Sequence, residues 1–171
     1  DTLAIHPYDR TFYARNQAYP YLGFDRFLDM EDLPQLVTAE YKREYITDHS
    51  TLLLMEKCLD EAENPTFMFV ITMQNHQPYN AMDPADIQVQ VTSPDLSEPA
   101  LTALTTYTQG LYDADKMLGD LADYIDSRER PTIAVFFGDH LPTLGSNYLA
   151  YRESGLFDHT DGLTPEELEQ V

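Results

Sequence analysis

The sequence predicts an α/β fold, part of a doubly wound, mostly parallel sheet flanked by helices. Three observations predict it. Two continuous apolar runs, Thr66-Phe67-Met68-Phe69-Val70-Ile71-Thr72 and Thr132-Ile133-Ala134-Val135-Phe136-Phe137, have the pattern of strands buried on both faces. A long stretch of helical periodicity lies between them, as a crossover between parallel strands requires. Each run is followed by a histidine, and in such sheets ligands gather beyond the carboxyl ends of the strands.

Taken in chain order, Thr2 to Ile5 is a short, weak strand. His6-Pro7-Tyr8-Asp9-Arg10-Thr11-Phe12-Tyr13-Ala14-Arg15 follows it and leads into a helix carrying Tyr19, Tyr21 and Phe24. Asp48 is placed to cap a helix running to about Glu63, with Leu52, Leu53, Met55, Leu59 and Ala62 on its apolar side. Asn64-Pro65 stops that helix and the first strong strand begins. Ile87-Gln88-Val89-Gln90-Val91 alternates, as an edge strand does. A longer helix starts near Pro99 and runs towards Arg128, with Leu101, Leu104, Leu111, Leu118, Leu121 and Ile125 close to one face. Asp113, Asp115, Asp120 and Asp123 lie off that face and are expected in solvent, while Gly110 and Gly119 weaken the helix. Arg130-Pro131 ends it and launches the second strong strand.

The chain of 171 residues is 43% hydrophobic and 12% aromatic, enough for a packed core. It fits one domain or a large piece of one. Thirty acidic residues face ten basic ones, a formal net charge of −20. Such a surface repels a phosphate backbone and anionic headgroups, so neither nucleic-acid binding nor broad membrane docking is expected. An anionic substrate must then be met locally, by a metal or by a few basic side chains. The single cysteine, Cys58, excludes an intrachain disulfide, and no zinc-type spacing occurs. The opening Asp1-Thr2-Leu3-Ala4-Ile5-His6 reads as a strand in a segment excised from a longer chain.

Three clusters bear chemistry. His76 follows the first strong strand in Met73-Gln74-Asn75-His76-Gln77-Pro78-Tyr79. Asp139-His140 follows the second, after Gly138, and pairs a hard with a borderline ligand for Mn²⁺, Mg²⁺ or Zn²⁺. Arg15 offers a fork for phosphate or sulfate oxygens, and His6 a further donor. Taken alone, the Asp-His pair and the histidine after a strand are each more often structural, and only two such sites at the ends of neighbouring strands bring the functional reading level. In so acidic a protein Arg15 is open to a salt bridge, and the aromatics beside it to the core.

In their order, these motifs resemble the lipoteichoic acid synthase branch of the alkaline phosphatase/sulfatase superfamily. The motifs are His6 to Arg15 with Tyr21-Leu22-Gly23-Phe24-Asp25; Ile46-Thr47-Asp48; Thr72 to Tyr79; and Phe137-Gly138-Asp139-His140. Tyr112-Asp113-Ala114-Asp115-Lys116-Met117-Leu118-Gly119 matches the helix before the last motif, and the resemblance covers roughly residues 2 to 145. It implies a domain on the extracellular face of a bacterial membrane, anchored through upstream helices. It also implies one Mn²⁺ or Mg²⁺ ion rather than Zn²⁺. A threonine nucleophile would take phosphoglycerol from phosphatidylglycerol and pass it to a glycerol-phosphate chain; related members act on sulfate esters or transfer phosphoethanolamine.

Matched by motif, Asp139 and His140 would be metal ligands, and His6, Tyr13, Arg15 and His76 would bind the substrate. Tyr13 stands where relatives often have tryptophan. The threonine and the remaining ligands, a glutamate among them, belong upstream of the segment matching His6. Residues 1–171 are therefore expected to be one partial catalytic domain, truncated on its N-terminal side. By itself it should be inactive, with an unpaired sheet edge through which it self-associates. The alternative is a non-catalytic surface module that binds glycerol-phosphate polymer or glycan through His6, Arg15 and the aromatics. A third reading is an acidic α/β domain whose histidines are structural.

Overall fold

A parallel sheet of three short strands organises the first part of the chain. In the computed structural model, which describes residues 1–156 together with Thr164 and Glu166, the strands are β1 (Thr2–Ile5), β2 (Arg26–Leu28) and, later in the chain, β5 (Phe67–Val70). Their order is β2-β1-β5, and both pairings are parallel. Between β2 and β5 lie helix α2 (Leu33–Leu36), a two-residue hairpin of β3 (Tyr41–Lys42) and β4 (Tyr45–Ile46), and helix α3 (Asp48–Asp60). Helix α1 (Arg15–Tyr21) joins β1 to β2, and Gly23, at φ 90°, accepts the left-handed turn that leaves it.

Strand alternation sorts the core. Leu3 and Ile5 of β1, Leu28 of β2 and Met68 and Val70 of β5 pack with Leu33, Ile46 and Leu54 on one face. Burying each such aliphatic side chain contributes ~1.5–3 kcal/mol. The intervening positions, Phe27 and Phe69, point the other way and meet Tyr19 edge-on at 4.9 and 6.5 Å. Helices thus cover both faces. The strand order reverses direction at β1, so the carboxyl ends of β1 and β5 form the crevice where doubly wound sheets place ligands.

The long helix α4 (Glu98–Ser127) is continuous over 30 residues. Compact packing divides the described chain into two units, one formed by 1–74 and 113–133, the other by 75–112 and the residues from 134 onward. The core of the second unit is Ala100, Leu144, Ala150 and Tyr151, surrounded by Tyr79, Leu104, Tyr107 and Leu149. Helix α5 (Leu149–Glu153) belongs to this unit. No helix among the described residues is long and apolar enough to cross a membrane.

Several expectations are corrected. The run Thr132–Phe137 forms no strand, and Ile133, Val135, Phe136 and Phe137 are exposed by 93, 80, 60 and 67%. A strand exists only where a neighbour takes its backbone hydrogen bonds, and the described residues supply none there. Ile87–Val91 is likewise not a strand, because its amides are taken by helix side chains. Gln88 and Val89 donate to Gln109 Oε1 at 2.7 and 3.2 Å, and Val91 donates to Thr105 Oγ1 at 3.4 Å. The cap of α3 is Thr47, whose Oγ1 accepts from the Ser50 amide at 3.1 Å; Asp48 is the first helical residue and is buried. Leu111 is exposed, and Asp113 leaves the solvated face while Asp115, Asp120 and Asp123 stay on it.

Candidate active site

His6 leaves β1 directly into the crevice and is fully buried. Its amide donates to Leu28 O at 2.9 Å, and its ring Nδ1 lies 3.0 Å from Ile71 O, just beyond β5. A carbonyl oxygen can only accept, so Nδ1 bears the hydrogen and Nε2 is the basic nitrogen. The ring therefore bridges the ends of β1 and β5. From His6 a line of rings runs through Tyr8 (6.1 Å) and Phe12 (5.3 Å) to Tyr13 (4.6 Å).

Tyr13 is 78% exposed and, with Ala14, sits at positive φ (53° and 51°). Two successive non-glycine residues in the left-handed region are strained, and such strain is concentrated at functional sites. The guanidinium of Arg15 lies over the Phe12 and Tyr13 rings at 5.6 and 5.2 Å. It donates to Phe12 O (3.1 Å) and Tyr19 Oη (3.2 Å), and pairs with no carboxylate among the described residues. The salt-bridge reading of Arg15 is therefore not realised, and its positive charge is presented on an aromatic platform.

The second group belongs to the other unit. Asp139 and His140 are adjacent and largely exposed, with Asp139 Oδ2 3.6 Å from His140 Nε2. The other carboxylate oxygen of Asp139 accepts the His140 amide at 2.9 Å, and His140 Nδ1–H donates to Leu141 O at 3.0 Å. These contacts occupy Asp139 Oδ1 and His140 Nδ1 and leave a carboxylate oxygen and the basic Nε2 as the two donors, 3.6 Å apart. Two ligand atoms each about 2.1 Å from one ion stand roughly 3–3.6 Å apart at the usual angles, so the pair fits a divalent cation. No group of three or more His, Cys, Asp or Glu gathers among the described residues, so these supply two ligands and no more.

His76 meets the His140 ring edge-on at 6.3 Å, and its Nδ1–H donates to Gln77 O at 2.6 Å. The six expected residues thus fall into two groups, His6, Tyr13 and Arg15 in one unit and His76, Asp139 and His140 in the other.

Sequence reasoning missed a buried polar network in the first unit. Asp48 accepts from the Thr72 hydroxyl, while its amide donates to Gln74 Oε1 at 2.7 Å. Gln74 Nε2 and Lys42 Nζ both donate to Asp113 Oδ2 at 2.6 Å, and Arg43 donates to Gln74 O at 2.7 Å. Burial, and then the charge of Asp113, push the Asp48 carboxyl up to about 6. Its sequence signal is the Ile46-Thr47-Asp48 motif, which reads as part of the family resemblance and, at Asp48, as a helix cap.

Comparison with known proteins gives four findings. The sequence model of the Sulfatase family matches residues 1–166. A Rhizobium meliloti protein, described provisionally as a cyclic beta-1,2-glucan modification protein, is 38% identical over 145 residues, 85% of this chain and 22% of its own length. The Streptococcus pyogenes phosphoglycerol transferase GacH, solved in complex with sn-glycerol-1-phosphate, superposes with a TM-score of 0.72 at 26% identity, over 88% of this chain and 39% of that one. The lipoteichoic acid synthase LtaP from Listeria monocytogenes shares the fold at a TM-score of 0.56 and 23% identity, over 73% of this chain and 29% of that one. The chain spans about a quarter of the length of the curated relatives it matches.

Proposed function

The chain belongs to the Sulfatase family, and from that premise we propose that it is part of a metal-dependent phosphoglycerol transferase or sulfatase-like enzyme of the cell surface. The carrying observation is the Asp139–His140 pair, with two donor atoms 3.6 Å apart and the His76 ring against it. The expected substrate is a phosphodiester or sulfate ester. The donor is an anionic lipid such as phosphatidylglycerol, and the acceptor a glycerol-phosphate chain or, by analogy with the R. meliloti glucan-modification relative, a glucan.

In this reading Asp139 and His140 hold one Mn²⁺ or Mg²⁺ ion. The ion, when bound, neutralises charge on phosphoryl oxygens and lowers the pKa of the attacking hydroxyl. The remaining work belongs to side chains of this chain. Arg15 presents two N–H groups in a fork matched to tetrahedral oxyanions, and the rings of Phe12 and Tyr13 hold its plane in place. Tyr13 supplies an exposed wall for the glycerol moiety. His6 and His76 use Nδ1–H on backbone carbonyls, which aims each Nε2 as acceptor when neutral and as donor to an oxyanion when protonated. The nucleophile, a threonine by resemblance, and a glutamate ligand are expected ahead of the segment matching His6, in a protein anchored outside the cell by upstream helices. Residues 1–171 by themselves are then inactive.

The test is Mn²⁺-dependent release of glycerol phosphate from phosphatidylglycerol by a chain that includes the upstream segment. Activity is expected to vanish with chelator, to return with Mn²⁺, and to fall at least 100-fold in Asp139→Ala, about 3 kcal/mol of transition-state stabilisation. Activity that survives both chelator and Asp139→Ala would exclude the metal reading.

A further inference from the structure

Helix α4 contains two glycines, each costing ~0.5–1 kcal/mol relative to alanine in a helix interior. They differ in surroundings. A Cβ on Gly119 would meet nothing within 4 Å, whereas one on Gly110 would stand 2.0 Å from Asn75 Oδ1, 2.2 Å from its Cγ and 2.9 Å from its Cβ. Rotating the Asn75 side chain relieves the first two contacts. It cannot relieve the third, because Cβ moves only with the backbone. Gly110 is therefore the floor of a seat that Asn75 fills.

The seat is pinned from several sides, all within one unit. Asn75 Nδ2 donates to Tyr107 O at 3.3 Å, and Tyr79 Oη donates to Asn75 O at 3.1 Å. The Tyr79 ring packs edge-on against Tyr107 at 5.4 Å. Asn75 Oδ1 is buried without a hydrogen bond among the described residues, so the side chain is placed by shape as much as by polarity. The next residue is His76, whose ring meets His140 at 6.3 Å, and Gln77 Oε1 accepts from Thr143 Oγ1 at 2.5 Å.

We propose that Gly110 is a positioning residue: by admitting Asn75 against the helix it sets the separation at which His76 stands from the Asp139–His140 pair. This rests on reading those three residues as parts of one site. The missing Cβ at 110 then exchanges helix stability for the placement of a substrate-binding histidine.

Histidine-labelled protein tests the proposal by NMR, through the Overhauser contact between the His76 and His140 rings and through Mn²⁺ broadening of each ring. Gly110→Ala is expected to abolish the ring contact and to weaken the broadening of His76, while His140 stays fully broadened. Gly119→Ala should leave both signals unchanged. In an Asn75→Gly background, adding Gly110→Ala should change nothing further, since the displaced group is gone. An intact ring contact in folded Gly110→Ala, or in folded Asn75→Gly, would overturn the proposal. Should Gly110→Ala fail to fold, Asn75→Ala removes the anchor without adding bulk and must also lose the contact; its persistence would count against the seat. Mn²⁺ that broadens neither ring in the unsubstituted protein would sink the metal-site reading, and the ring contact would still decide the role of Gly110.

Discussion

Asp48 is buried between a second carboxylate, Asp113, and the hydroxyl of Thr72, which is why its carboxyl holds a proton to about pH 6 instead of 3.8. A raised folded-state pKa means that the folded chain binds this proton more tightly than the unfolded one. The Asp48 contribution to stability is thus fully present below pH 3.8 and is lost as pH rises through about 6. Its full size is about 3 kcal/mol. The Tm difference between the protein and Asp48→Asn is expected to change across that window and to level off above it; a difference flat throughout would remove Asp48 as the cause. Arg15 makes a second residue-scale prediction. Lysine keeps the charge but loses the planar fork and the stacking on Phe12 and Tyr13. Arg15→Lys in the complete enzyme should lower kcat/KM by roughly tenfold or more, about 1.5–3 kcal/mol for a charge-assisted contact. Unchanged kinetics would return Arg15 to a packing role.

At the scale of elements, α3 shows how a motif can serve two ends at once. Thr47 caps it, with its hydroxyl on the Ser50 amide and its carbonyl accepting from the Thr51 hydroxyl at 3.1 Å. Capping is therefore independent of Asp48, which is released to bond the strand end at Thr72 and the loop at Gln74. Thr47→Ala should cost about 1 kcal/mol by the loss of the cap, read as a lower midpoint in urea. It should leave the Asp48 pH window in place. A shift of that window would show that cap and network are one unit. In the sheet the element-scale logic is simpler: alternation sends Leu3, Ile5, Met68 and Val70 to one face and Phe27 and Phe69 to the other, and His6 emerges at the strand end because β1 stops there.

At the scale of the molecule, two features oppose each other. A net charge of −20 keeps copies apart, while exposed Ile133, Val135, Phe136 and Phe137 favour association. β5 also ends the sheet order β2-β1-β5 with one edge unpaired among the described residues. Self-association of the chain is expected to rise with salt, as repulsion is screened. Val135→Lys should reduce it, with sedimentation velocity as the readout. A salt-independent monomer would show that charge and side chains at this run already suffice to keep copies apart.

Sequence by itself determined the α/β class, the strands Thr2–Ile5 and Phe67–Val70, both long helices to within a few residues, and the placing of His6 and His76 after strands. These follow from local rules: apolar runs, capping residues and proline stops act over neighbours in the chain. The Thr132–Phe137 run looked equally strand-like, yet apolar character sets only a preference, and a strand also needs a partner with free backbone groups. Only tertiary structure decided that Asp113 is drawn inward by Lys42 and Gln74, that Arg15 rests on rings instead of a carboxylate, and that Gly110 is shaped to Asn75. Each depends on groups far apart in sequence brought within a few ångströms, where desolvation and contact distance outweigh any local propensity.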